Sequence, residues 1–142
     1  MTNAVLLVGC IVAAIAGAVH VYIFVLESVL WRRPAVWRIF GLRRQEDAET
    51  TRALAFSQGF YNLFLALTTF TGVALVCVIE PAGIALVLAA SGSMLLASLV
   101  LRSTSRRMAR AAAIRGALPL AAIVLVASAL LLRRAAAAAI DA

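Results

Sequence analysis

The sequence has no lysine, one histidine, two cysteines, three prolines and only six acidic side chains among its 142 residues. Each scarcity removes a class of function. With His20 as the lone histidine, and with Cys10 and Cys77 far apart and outside any CxxC pattern, no metal-ligating cluster forms at the usual spacings. No metal and no cofactor is therefore expected. Each cysteine lies in an apolar run and reads as a small buried side chain rather than half of a disulfide. There is no glycine-rich phosphate loop and no nucleophile elbow, and Ser57 lacks a base at triad spacing. Charge is scarce as well. Charged residues make up 13% and apolar residues 65%, against about 25% and about 45–50% in typical globular domains. That balance excludes an ordinary soluble domain.

What the chain does have is long apolar runs. A helix needs about 20 such residues to cross the hydrocarbon core of a bilayer. Ala4–Leu26 is interrupted only by His20, Ala53–Ile79 carries no charge, and Pro81–Leu101 follows directly. Ala117–Leu132 is shorter, but the alanine tail Ala135–Ala139 can extend it and its flanking arginines can snorkel. The expected fold is all-α, a four-helix transmembrane bundle in a single domain over residues 1–142, with helices at about 4–30, 46–79, 82–102 and 117–134. Glu80-Pro81-Ala82-Gly83 reads as a tight turn that makes the second and third helices antiparallel neighbours. The first run is preceded by no basic residue and is too long for the apolar region of a signal peptide. Gly9, Ala13 and Gly17 form a ladder of small residues at four-residue spacing, suited to close packing within the chain.

All thirteen basic residues are arginines, and eleven of them lie between the apolar runs. Six lie in Arg32–Arg52 and five in Arg102–Arg115. With four spans these two segments share one side, which the positive-inside rule assigns to the cytoplasm, leaving both termini on the non-cytoplasmic side. The net charge of +7 thus speaks for anionic headgroups and topology, not for nucleic acid. The bilayer is the expected partner. Arginine without lysine, together with abundant alanine, points to a GC-rich bacterial genome, and with the four apolar runs to a multi-pass protein of a bacterial inner membrane. In the first connecting segment, Trp31, Trp37 and Phe40 among arginines read as an interfacial anchor with rings at headgroup level. Glu46, Asp47 and Glu49 suit the first turn of a helix, so the second span is expected to start well before Ala53.

Ionisable side chains inside an apolar run are costly and mark functional sites by default. His20 and Glu27 are seven residues apart, on one helical face, with Phe24 between them. In the second span Gln58 and Asn62 share a face, flanked by Tyr61. If the boundary falls near Leu30 and Ala53, His20 lies about ten residues deep and Asn62 about nine, with Glu27 and Gln58 both shallow. Antiparallel pairing of the two helices then sets His20 beside Asn62 and Glu27 beside Gln58. This seam is either glue between helices, with Glu27 reaching Arg32 or Arg33, or the wall of a cavity open to the cytoplasmic leaflet.

The string His20-Val21-Tyr22-Ile23-Phe24-Val25-Leu26-Glu27, then Trp31 and Phe40, then Gln58-Gly59-Phe60-Tyr61-Asn62-Leu63-Phe64-Leu65-Ala66, resembles a family of small integral membrane proteins catalogued as domain of unknown function 1304. Gly116, Leu118 and Pro119 are similar to its entry into the last helix, whereas Ser57 stands where an asparagine is expected. The resemblance implies a four-helix membrane protein and assigns no activity. The residues themselves leave three functions open. One is a binding protein or enzyme for a small lipophilic ligand, contacted by His20, Phe24, Glu27, Gln58, Tyr61 and Asn62, with His20 as base and Glu27 as acid if there is chemistry. The second is a small proton-coupled transporter working as a homo-oligomer, although Glu27 is shallow for a midplane coupling site. The third is an accessory subunit in which the seam is structural.

Overall fold

The computed structural model describes residues 2–104 and 109–140. Six α-helices follow in order: α1 Thr2–Phe24, α2 Pro34–Ile39, α3 Gln45–Thr50, α4 Arg52–Val76, α5 Glu80–Thr104 and α6 Ala109–Ala138, with no strand among the described residues. A π-helical turn, Val25–Val29, continues α1. Among the described residues four stretches are long and apolar enough to cross a membrane: Asn3–Val29, Arg52–Val76, Glu80–Ser103 and Ala112–Ala138. At about 1.5 Å per residue, even the 24-residue third stretch reaches roughly 36 Å, more than a core about 30 Å thick.

The four long helices close into a ring in which α1 packs on α4 and α6, and α5 packs on the same two. This is an all-α four-helix bundle with its first and last helices side by side. Small side chains make the close approach. Ala13, Ala122, Val126 and Ala129 have no exposed surface. A Cβ on Gly9 would sit 2.9 Å from Val126 of α6, and one on Gly17 3.0 Å from the Phe70 ring of α4. The ladder on α1 therefore serves contacts within the chain. Outward-facing Leu7, Ile11, Ile15, Leu67, Leu96 and Leu131 are exposed, as a hydrocarbon solvent permits. Cys10 is buried and Cys77 exposed, and both are free thiols.

Several bounds differ from those read in the sequence. The expected turn at Glu80–Gly83 is the first turn of α5, because proline is well accommodated there, and the chain reverses at 77–79. The second span does not run unbroken from residue 46. Thr50 and Thr51 turn their hydroxyls back onto the carbonyls of Glu46 and Asp47, and α3 stays separate from α4. The last helix is already formed at Ala109, ahead of 117, and continues to Ala138, since alanine-rich sequence propagates a helix at both ends. Most of the segment expected as a basic loop is thus helical, while its Arg106 and Arg107 lie outside the described residues.

The segment between the first two spans is a folded cap that buries its two tryptophans in protein. Trp31 and Trp37 are buried with Leu26, Val36, Ala48 and Ala55. Trp31 Nε1 donates to the Ala48 carbonyl at 2.9 Å, and its ring lies 5.2 Å from that of Phe40. Gly41, at φ 82°, supplies the left-handed residue that ends α2 and sends the chain back toward α3. At the opposite end of the bundle, Arg133 of α6 pairs with Glu80 of α5 and donates to Asn3 of α1 at 2.9 Å. The beginning of α1 and the end of α6 are therefore tied together, away from the cap.

Candidate functional site

The π-helical turn decides where the site lies. Leu30 N donates to the Val25 carbonyl at 2.9 Å, one residue further than an α-helix allows, and Glu27 sits in the widened turn. Gly59 of α4 lets this turn press against α4. A Cβ there would collide with Ser28 Oγ and lie 3.2 Å from Glu27 Cβ. Ser28 Oγ in turn donates to the Phe56 carbonyl at 2.9 Å. Glu27, only 5% exposed, is thereby driven into the bundle.

Both carboxylate oxygens of Glu27 accept. Asn62 Nδ2 donates to Oε2 at 2.9 Å, and Arg115 Nη2 of α6 donates to Oε1 at 3.4 Å. Asn62 uses its second amide hydrogen on the Gln58 carbonyl, also at 2.9 Å. The expected partnering of Glu27 with Gln58 is thus off by one helical turn, and the snorkelling pairs with Arg32 or Arg33 do not form. The widened turn aims the carboxylate at Asn62 instead. Above the ion pair, the Arg115 guanidinium lies 5.7 Å from the centre of the Phe40 ring, within cation–π range. His20 is 3% exposed, and its Nδ1–H donates to the Ala16 carbonyl at 2.9 Å.

These groups border one cavity of about 380 Å³ between α1, α4, α5 and α6, near the cap. Its polar lining is His20, Glu27, Gln58, Asn62, Ser98 and Arg115, with Tyr61 at the rim. Leu65, Met94, Ala97, Val100, Leu101 and Phe40 form its apolar walls. Five of the six residues singled out in the sequence meet there. Phe24 does not: its ring packs edge-on against Phe60 at 5.2 Å. Four residues past His20 leaves it about 40° around the helix, enough for a large ring to find an aromatic partner outside the cavity.

Sequence reasoning missed Arg115. It stands at the edge of an apolar run and passes for a topology-setting loop residue. The available signal was an unmatched buried carboxylate that required a counter-charge, beside an alanine-rich stretch able to carry helix back through residue 115. Gly116 helps, since a Cβ there would collide with Ser98 Oγ, so α6 meets α5 at this point.

A family model described as "Protein of unknown function (DUF1304)" matches residues 14–127. The chain belongs to this family. No curated protein and no solved structure matches it. The stretch matched to DUF1304 contains the whole cavity lining, from His20 to Arg115. Among the described residues no group of three or more metal-ligating side chains occurs.

Proposed function

We propose that this DUF1304 protein binds a small lipophilic molecule in the cavity between its four long helices. The observation that carries the proposal is the combination of one amphipathic cavity with a buried histidine, carboxylate, amide and guanidinium on its wall. Helix packing needs none of these groups, and interhelical polar contacts in membranes average only about 0.6 kcal/mol. A cavity of about 380 Å³ lies within the range of about 300–1,000 Å³ typical of small-molecule sites. The apolar body of a ligand would lie against Leu65, Met94 and Leu101, with its polar end toward His20. Glu27, an acceptor through both oxygens, acts here as counter-charge and anchor rather than as proton donor, so binding is favoured over acid–base chemistry. The arginine distribution supports a cytoplasmic cap, with both termini on the other side of a bacterial inner membrane.

Native mass spectrometry of the purified protein, paired with melting temperature in detergent, tests this reading. The wild type should carry a small lipophile that is lost in His20→Ala, with the fold retained. If the wild type carries none and the variant changes only stability, the seam is structural, as in an accessory subunit. A proton-coupled transporter would instead show substrate-dependent proton flux in vesicles.

A further inference from the structure

The hydrogen-bonding inventory of the cavity narrows what it takes. A backbone carbonyl only accepts, so the His20 contact to Ala16 places the proton on Nδ1. The Glu27 charge is already matched by Arg115, and a neutral ring then leaves Nε2 as a lone-pair acceptor. Asn62 spends both amide hydrogens on Glu27 and Gln58, which leaves its Oδ1 as a second acceptor. Among the described residues neither atom has a hydrogen-bond partner, and the one buried side-chain nitrogen or oxygen lacking a partner there is Ser91 Oγ. Nε2 and Oδ1 are thus not orphaned buried atoms, and both residues line the cavity. Donors are at hand too. Arg115 carries five N–H groups and uses one on Glu27, and Gln58, which also lines the cavity, brings a side-chain amide.

We infer that the ligand is an uncharged lipophile ending in a hydroxyl group, an alcohol or a phenol, which donates to His20 Nε2 or Asn62 Oδ1 and accepts from Arg115 or Gln58. The inference rests on the binding function proposed above. Other polar ends fit less well. A carboxylate or an amine would bring a charge into a site whose charges already cancel. A ketone, ester or ether offers only acceptors, and would leave both protein acceptors desolvated and unpaired. A bare hydrocarbon does the same. Sites built to hydrogen-bond a hydroxyl reject analogues that lack it far more strongly than they reject changes in apolar bulk.

The test uses the whole chain in detergent and two probes of nearly equal size, 4-octylphenol and its methyl ether, compared at matched micellar concentrations and read by thermal shift. The phenol should raise the melting temperature with an apparent affinity at least about tenfold above that of the ether. In His20→Leu this preference should fall severalfold. The Ala16 carbonyl keeps its helical N–H in that variant, so the fold is expected to persist. Equal shifts from both probes in the wild type would overturn the hydroxyl assignment while leaving lipophile binding intact. So would no shift from either probe if native mass spectrometry still found a copurified lipophile. No shift and no copurified molecule would remove the binding function itself. Full retention of the phenol preference in His20→Leu would overturn the role of the imidazole. The wild-type comparison decides the ligand class even if that variant does not fold.

Discussion

A single glutamate organises the polar chemistry of the chain. Glu27 meets an amide from α4 and a guanidinium from α6, so three spans converge on one carboxylate. Breaking a buried ion pair by removing one partner typically costs about 3–5 kcal/mol, because the other charge is left uncompensated. Arg115→Ala should fall near that range, since Glu27 is the more deeply buried partner, at 6% side-chain exposure against 18%. Glu27→Gln keeps an amide beside Asn62 and leaves the better-solvated guanidinium behind, so its cost should be smaller, about 1–3 kcal/mol. The double variant Glu27→Gln with Arg115→Gln should be less unstable than the sum of the two single changes. Unfolding titrations of all three variants measure this coupling directly. Additive losses would mean that the 3.4 Å contact carries no energy.

At the level of elements, the π-helical turn and the cap are what bring the polar residues together. Gly59→Ala would push a methyl group into Ser28 and against Glu27 Cβ, and should cost about 1–3 kcal/mol, as overpacking does. Ser28→Ala removes the nearest obstructing atom, so adding it to Gly59→Ala should recover part of the lost melting temperature. No recovery would place the cost elsewhere than in this contact. In the cap, Trp31→Phe deletes the donor to the buried Ala48 carbonyl and should cost about 1–2 kcal/mol. Faster amide exchange confined to α2 and α3 would show that the cap opens as a unit, whereas unchanged exchange there would show that the Nε1–H contact does not hold it.

The four spans were legible in the sequence because hydrophobic length alone encodes them, and His20, Glu27 and Asn62 stood out because ionisable and amide side chains are rare in such runs. The details that set the partners were not legible. A π-helical turn is one residue of register and leaves no periodic trace, so depth alone pairs Glu27 with Gln58 where the structure pairs it with Asn62. Composition marks Trp31 and Trp37 as residues that leave water, but it does not encode that a short folded cap covers them. Arg115 was hidden by its position at a span boundary, where arginine usually reports topology.

For the whole molecule, the charge distribution and the bundle agree on one asymmetry: the cap and Arg115 lie at one end, and the Asn3–Glu80–Arg133 cluster at the other. Single cysteines introduced into a cysteine-free background should label from outside intact cells at Asn3 and be protected at Arg43. The reverse pattern would invert the orientation. The most direct measurement of the central claim is an experimental structure of the wild-type protein in lipid nanodiscs. The expected result is elongated density between α1, α4, α5 and α6, with its inner end within about 3.5 Å of His20 Nε2 or Asn62 Oδ1 and its body along Leu65, Met94 and Leu101. Side chains collapsed into that space, with Glu27 still paired to Arg115 and Asn62 and no density between the helices, would contradict it.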